Sequence, residues 1–87
     1  MKDLERILKA LANKRRLSIV RYLKKKGEAT VGEIAGAIKL SFTATSRHLN
    51  MLYTADIVEK EQRSLQVFYR ISSQPHHLVK YISNSLE

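Results

Sequence analysis

The feature that most constrains the fold is a pair of short helical segments with almost no chain between them. Residues 31–38 and 42–52 each carry small or apolar side chains at the spacing of one helix face. The positions on these faces are Ile34, Ala35 and Ile38 in the first segment and Thr45, Leu49 and Leu52 in the second. Only residues 39–41 lie between the segments, and two helices so closely joined are typical of a helix-turn-helix.

Polar residues mark where these two helices begin. Thr30 and Glu33 have the spacing of a capping box, in which each side chain accepts a bond from the other residue's backbone amide. Ser41 is a favourable N-cap for the second helix, because its hydroxyl can accept a bond from an unpaired amide of the first turn. The capping pattern therefore supports the two predicted helices independently of the apolar spacing.

Two more amphipathic helices are predicted ahead of this pair. The first covers residues 3–12 with Asp3 as its N-cap, and Asn13 caps a second helix that runs to about Lys26 and ends at Gly27. Their inner faces consist of Leu4, Ile7, Leu8 and Leu11 in the first and Leu17, Val20 and Leu23 in the second. Both stripes are expected to pack on one core.

The hydrophobic period changes after Tyr53. Residues 57–61 and 66–71 are rich in β-branched and aromatic side chains, which predicts an antiparallel hairpin. The connecting residues 62–65 contain no Gly, so we expect a tip longer than a tight two-residue turn. Pro75 then begins a last helix. Its apolar stripe consists of Leu78, Val79, Ile82 and Leu86.

The outward face of residues 42–52 carries no acid and no bulky aliphatic side chain. Thr43, Ser46, Arg47 and Asn50 follow one another at i, i+3, i+4 and i+7, opposite the thin apolar seam. Such side chains hydrogen-bond phosphates and base edges, and Arg can grip guanine through two bonds. An ordinary solvated face would instead carry Glu and Lys. The pattern favours a helix that reads DNA in the major groove.

Charge and composition point to the same class of partner. Sixteen Lys and Arg against eight Asp and Glu give a net charge of +8 over 87 residues, which favours polyanions, although a solvated basic surface gives the same balance. No apolar run approaches the roughly 20 residues of a membrane span, and the N-terminus lacks the apolar core of a secretory signal. We therefore expect a cytoplasmic protein without a membrane partner. The absence of Cys excludes disulfides and thiolate metal sites, which leaves a second subunit to stabilise so small a domain.

Other basic residues are candidates for contact with the DNA backbone. Lys14, Arg15 and Arg16 lie at a helix N-terminus, where they are either solvated cations or, together with the free amides, a phosphate-docking site. Arg63 and Gln62, at the predicted hairpin tip, can reach a phosphate or the minor groove.

Several segments together resemble the ArsR-type winged helix-turn-helix repressors. They are LANKRRLSIVRYL, VGEIAGAIKLS, SRHLNML and VFYRI, within roughly residues 4–71. The resemblance implies a homodimer built from the first and last helices, with residues 42–52 in the major groove and the hairpin as a wing. Family contacts to DNA fall at positions that match Phe42, Thr43, Ser46 and Arg47.

The chain departs from the family pattern at several positions. Phe42 stands where the family usually has Gln, so contact with a thymine methyl is the possible substitute for a hydrogen bond. Lys39, Asp56 and Ser64 or a neighbour stand where glycines are common, and a left-handed Lys costs about 1 kcal/mol unless the turn is shaped differently. The metal box of some members corresponds to Thr30–Ala35, which contains no Cys.

Histidines provide little support for a metal site. His76 and His77 are adjacent and point about 100° apart on a helix, and Glu87 is distant, so no metal or other cofactor is predicted, although binding at these two His residues remains open. His48 lies beside the apolar seam, where it is either structural or directed at a phosphate. No arrangement typical of an enzyme occurs in the sequence.

The predicted fold is mainly α with a small β-hairpin, a winged helix-turn-helix of about five helices plus a two-stranded wing. Residues 1–87 form one domain, with the helix-turn-helix at 31–53 and the wing at 57–71. Residues 3–26 and 75–86 form helices of the scaffold or the dimer interface.

The predicted function is a sequence-specific, double-stranded DNA-binding transcriptional regulator, a homodimeric repressor of a pseudo-palindromic operator. The alternative is a winged-helix adaptor whose basic face binds an acidic protein. The sequence leaves open the effector, the operator and genes, and activation instead of repression. The candidate DNA-binding residues are Lys14, Arg15, Arg16, Ser41, Phe42, Thr43, Ser46, Arg47, His48, Asn50, Gln62 and Arg63.

Overall fold

A computed structural model describes residues 2–86 as five helices and a three-stranded antiparallel sheet. The elements in chain order are α1 (Lys2–Leu11), α2 (Lys14–Lys26), β1 (Glu28–Thr30), α3 (Val31–Ile38), α4 (Phe42–Thr54), β2 (Val58–Arg63), β3 (Gln66–Ile71) and α5 (His77–Ser85). The predicted winged helix-turn-helix, mainly helical with a hairpin wing, is confirmed. No helix in this part of the chain is long and apolar enough to cross a bilayer.

Side-chain caps fix the beginnings of α2 and α4. The Asn13 side chain accepts hydrogen bonds from the backbone amides of Arg15 and Arg16 at 2.9 and 3.1 Å. Ser41 Oγ accepts from the amide of Ala44 at 3.1 Å. Both predicted N-caps are confirmed, and they satisfy amides that have no partner within their own helix.

The helix-turn-helix is shaped by a capping box and a left-handed residue. The amide of Glu33 donates to Thr30 Oγ1 at 3.2 Å, and the amide of Thr30 donates to Glu33 Oε1 at 2.9 Å. At the end of α3, Lys39 has φ 58° and ψ 50°, and the amide of Leu40 donates to the carbonyl of Ala35 at 3.0 Å. The turn therefore keeps a glycine-like shape although a Lys occupies it, at a cost of about 1 kcal/mol.

Two predicted helix starts are wrong. Asp3 lies inside the first turn of α1, because the helix already begins at Lys2, and an acid in that turn is favourable next to the positive end of the helix dipole. Pro75 precedes α5 by two residues. His76 caps α5 instead, with its Nδ1 accepting from the amide of Leu78 at 3.0 Å.

One hydrophobic core joins all the helices to the inner face of the sheet. The largest fully buried side chains are Ile19, Val20, Leu23, Ile34, Thr45, Leu49, Leu52, Ile57 and Val79. The predicted seam of α4 is thus confirmed, whereas the prediction for α1 is wrong at one position. Leu8 is 48% exposed, and Ala10 is buried in the core instead.

The sheet contains a strand that the sequence pattern did not reveal. The strand order is β1-β3-β2, with Ala29 of β1 opposite Tyr69 of β3 and Lys60 of β2 on the other side of Tyr69. The predicted two-stranded wing is present as β2 and β3. β1 has only three residues, too few for an alternation of polar and apolar side chains to be visible.

The wing tip is tighter than predicted. Arg63 and Gln66 are paired across the hairpin, so only Ser64 and Leu65 form the turn, and the expectation of a longer tip is wrong. Ser64 adopts φ 58°, as the first central residue of a type II′ turn does. Gln62 Nε2 donates to the carbonyl of Ser64 at 3.3 Å, which helps hold this left-handed residue.

Replacing Thr45 with Val should raise the free energy of unfolding by about 1 kcal/mol. Thr45 Oγ1 is buried and has no hydrogen-bond partner within residues 2–86, so its desolvation is uncompensated. Val has nearly the same shape and lacks the hydroxyl. Urea denaturation should show a higher midpoint with an unchanged slope.

Leu49→Ala is the matched control in the same seam. It should lower the free energy of unfolding by about 2–5 kcal/mol, because it leaves a cavity under α4. A clear loss of stability in Thr45→Val would show that the hydroxyl has a partner after all.

Candidate nucleic-acid interface

The outward face of α4 presents four side chains with unused hydrogen-bonding groups. Thr43, Arg47 and Asn50 are exposed and Ser46 is half-buried, on the side opposite the buried seam. We call these four residues the recognition face. None of their side chains hydrogen-bonds another residue within residues 2–86. The buried seam holds α4 in place, and the four side chains of the recognition face have no partner within residues 2–86. They are therefore available to hydrogen-bond an external partner.

The first turn of α4 adds features that favour an anionic or apolar partner. The turn contains no acidic residue, so nothing opposes the partial positive charge of the helix N-terminus. Ser41 Oγ accepts the capping bond there, and its hydroxyl donates to no other residue within residues 2–86, so it can donate to an external partner. Phe42 is 62% exposed, which is unusual for an aromatic ring and leaves it available for an apolar contact.

The structure removes Arg16 from the candidate DNA-contacting residues. Arg16 is only 8% exposed, and its guanidinium is directed inward. Nε donates to the carbonyl of Ala10 at 2.5 Å, and Nη1 lies 3.2 Å from His48 Nδ1 and 3.3 Å from Met51 Sδ. A side chain held in this way cannot extend to a phosphate.

The sequence contained a signal for the burial of Arg16. It precedes Ile19, Val20 and Leu23 by three, four and seven residues, the spacing of one helix face. All four side chains are buried on the inner face of α2. Lys14 and Arg15 are exposed at the same helix end, so both remain candidate phosphate contacts.

His48 is half-buried and makes its contact inward. Arg has no acceptor, so Arg16 must donate and His48 Nδ1 must accept, which places the ring proton on Nε2. Burial first, and then the charges of Arg16, Arg15 and Arg47, lower the pKa of His48 below its usual value. Of the two roles considered for His48, this geometry favours the structural one.

The predicted wing contact Arg63 is held by carboxylates. Its Nη1 and Nη2 donate to the two oxygens of Glu28 at 2.6 and 2.8 Å, and Nη2 also lies 2.9 Å from Glu61 Oε1. The guanidinium stacks on the ring of Phe68, 4.6 Å from its centroid. Gln62 is exposed but bonded to the turn. These bonds would have to rearrange before Arg63 could grip DNA.

A second guanidinium extends this arrangement across the sheet. Arg70 Nε donates to Glu59 Oε1 at 2.8 Å, and Nη1 donates to Glu61 Oε1 at 3.0 Å. Hydrogen bonds from Arg63 and then Arg70 hold the pKa of Glu61 below its usual range. Three carboxylates against two guanidinium groups leave one net negative charge on this outer face. We call the five residues Glu28, Glu59, Glu61, Arg63 and Arg70 the wing network.

The described residues offer little to a metal ion. No group of three or more His, Asp or Glu side chains that could hold one occurs within residues 2–86. His76 Nδ1 is engaged in the cap of α5, and His77 follows it with the two ring centroids 6.0 Å apart. Glu87, which was considered with them, lies outside the described residues.

Comparison with known proteins agrees with this architecture. Residues 13–60 match the model of the family described as bacterial regulatory protein, arsR family. The transcriptional activator HlyU of Vibrio cholerae is 40% identical over 67 residues, which are 77% of this chain and 61% of HlyU. HTH-type transcriptional regulator Rv0324 of Mycobacterium tuberculosis is 38% identical over 69 residues, 79% of this chain and 30% of Rv0324. The chain therefore spans less than two thirds of the length of these two relatives.

Solved structures share the fold over nearly the whole chain. A structure of reduced HlyU from Vibrio cholerae has a TM-score of 0.83 at 35% identity and covers 98% of this chain and 85% of that one. The homodimeric winged helix-turn-helix DNA-binding domain of Mb0332 from Mycobacterium bovis has a TM-score of 0.81 at 30% identity, covering 98% and 72%. Together with the matched segment and the wing geometry, these likenesses show that the chain belongs to the ArsR family of bacterial regulatory proteins.

Proposed function

We propose that the chain acts as a homodimeric repressor that binds a pseudo-palindromic site in double-stranded DNA. The observation that carries the proposal is the recognition face, which combines unpaired hydrogen-bonding groups with the absence of acid on a helix fixed by a buried seam. The fold supports it, because in helix-turn-helix proteins the second helix enters the major groove.

Sequence would be read by the recognition face. Arg47 can donate two bonds to guanine O6 and N7, and Asn50 can pair with the edge of adenine. Thr43 and Ser46 are short, so the backbone of α4 can approach the base edges closely. Phe42 would contact a thymine methyl at the entrance of the groove, which gives its exposed ring a function.

Binding strength would come from cations beside the recognition face. Lys14 and Arg15 are exposed at the N-terminus of α2, where the positive end of the helix dipole adds to their charge. The net charge of +8 strengthens the attraction to phosphates, although the wing network contributes none of it.

Exposed apolar side chains on α1 and α5 support a dimer. Leu8 on α1 is 48% exposed and Tyr81 on α5 is 72% exposed, so each of these two helices carries an apolar side chain that a second subunit could bury. The homologous domain of Mb0332 is described as homodimeric. Two-fold symmetry would then present two copies of α4 to half-sites about 34–36 Å apart.

Repression would follow from occupancy of a promoter. Similar proteins include both a transcriptional activator, HlyU, and a transcriptional repressor, PagR of Bacillus anthracis. A small dimer that covers one site blocks polymerase directly, and this is the simplest action of the proposed complex.

The salt dependence of binding to duplex DNA tests the proposal. If each subunit neutralises about three to five phosphates, the logarithm of the association constant should fall with the logarithm of salt at a slope of about −5 to −9 for a dimer. Fluorescence anisotropy with labelled random and selected duplexes measures both slope and sequence preference. An adaptor for acidic proteins would show no binding to duplex at micromolar concentration.

Arg47→Ala should cost about 1–3 kcal/mol in binding to the selected sequence and relax the preference at one base pair. Binding to random duplex should fall much less, because only the base contact is specific. Lys26→Ala is the matched control. It also removes one positive charge, but at the C-terminus of α2, the end away from Lys14 and Arg15. Equal losses for the two variants would show that Arg47 does not read a base.

Glu28→Gln should strengthen binding to random duplex and steepen the salt slope by about one unit. The change removes the charge of the bidentate carboxylate and leaves Glu61 as the remaining acid on Arg63 within residues 2–86, so that a phosphate can compete for the guanidinium more easily. Glu5→Gln on α1 is the control for loss of an acid elsewhere. If the Glu28 variant behaves like this control, the wing tip does not reach DNA.

A further inference from the structure

Within residues 2–86, Arg16 is a buried cation without an acidic partner. None of the ion pairs formed within residues 2–86 includes it, although it is only 8% exposed. Burial of an unpaired charge is costly, so other groups must compensate for the loss of water. A side chain kept at this cost is a candidate for a function beyond simple packing.

The last turn of α1 supplies much of this compensation. Arg16 Nε donates to the carbonyl of Ala10 at 2.5 Å, and Nη2 donates to that of Lys9 at 3.4 Å. Carbonyls at a helix C-terminus carry the negative end of the helix dipole, and they stand in for a carboxylate.

The other end of the guanidinium is bound to α4. Nη1 donates to His48 Nδ1 at 3.2 Å and lies 3.3 Å from Met51 Sδ. One side chain of α2 therefore joins the end of α1 to the middle of the helix that carries the recognition face. His48 adjoins Arg47 in sequence, so a shift at this contact moves a residue of that face directly.

This contact depends on a neutral imidazole. A protonated ring has no lone pair at Nδ1, so it could no longer accept from Arg16 and would add a second positive charge beside it. The charged groups that bear on His48 are all cations, with Arg15 and Arg16 on α2 and Arg47 on α4. On α1, Arg6 and Lys9 line the adjoining groove next to Met51.

We propose that Arg16 and neutral His48 form a joint that positions α4 for DNA, and that protonation of His48 opens the joint and weakens binding in acid. The inference rests on the proposed DNA-binding function and deepens it by naming two positioning residues. It also predicts a direction of pH dependence opposite to the usual one, because added positive charge ordinarily strengthens binding to a polyanion.

His48→Asn separates the joint from other effects of pH. The amide oxygen of Asn can accept near the position of Nδ1, and it does not titrate. Between about pH 7.5 and 5.5, the wild-type protein should lose about three- to tenfold more affinity for the selected duplex than the variant. His76 and His77 are present in both proteins, so any contribution from them cancels in the ratio.

The opposite sign would overturn the proposal. If His48 faces a phosphate, wild-type affinity should rise relative to the Asn variant as the pH falls. Parallel pH profiles for the two proteins would also overturn it, because protonation of His48 would then have no effect on the affinity for DNA.

A measurement without DNA tests the joint when the proposed function fails. Because the pKa of His48 is lowered in the folded protein, its contribution to stability is intact above the usual value of about 6.5. This contribution is lost as the pH falls from there through the lower pKa of the folded protein. The urea midpoint of the wild type should therefore drop relative to that of His48→Asn. An unchanged difference between the midpoints would contradict the joint, whether or not the protein binds DNA.

A second variant, Arg16→Met, tests the contact through the pKa of the His48 ring, which NMR measures. Arg16→Met keeps an unbranched side chain and removes the charge, so the pKa of His48 should rise towards its usual value. If the pKa of His48 does not change, the two side chains are not in contact in solution, and the joint is ruled out.

Discussion

The burial of one narrow face of α4 is the interaction on which the rest of the structure depends. Thr45, Leu49 and Leu52 are completely buried and fix the helix on the core. Because so few side chains anchor the helix, Thr43, Arg47 and Asn50 on its opposite side remain exposed. The recognition face is therefore a consequence of a thin apolar seam. That seam also contains a destabilising feature, because the buried hydroxyl of Thr45 has no hydrogen-bond partner within residues 2–86.

Charge is divided between the helices and the wing. Lys14, Arg15 and Arg47 are exposed and belong to α2 and α4, whereas the cations on the outer face of the sheet are matched by acids. Arg63 and Arg70 stiffen the wing through shared carboxylates, and exposed pairs of this kind contribute little to stability. The wing therefore contributes to the proposed complex mainly through its shape, unless DNA displaces Glu28 from Arg63.

Local signals in the sequence predicted most of the fold. The caps at Asn13, Thr30 and Ser41 and the α4 seam depend on neighbours a few residues away, and a sequence pattern shows such neighbours directly. Contacts between side chains far apart in the sequence could not be predicted from such local patterns. Glu28 meets Arg63 across 35 positions, and Arg16 meets His48 across 32. The basic character of both Arg residues was visible in the sequence, but the partners that engage them were set by the packing of distant elements.

Methylation interference on a selected duplex tests the central claim most directly. Guanine N7 lies in the major groove and adenine N3 in the minor groove, so the modified positions that block binding report which groove α4 occupies. The account predicts interference at guanine N7 in two symmetric half-sites about one helical turn apart, with loss of one such position in Arg47→Ala. Interference confined to the minor groove, or none at all, would contradict it.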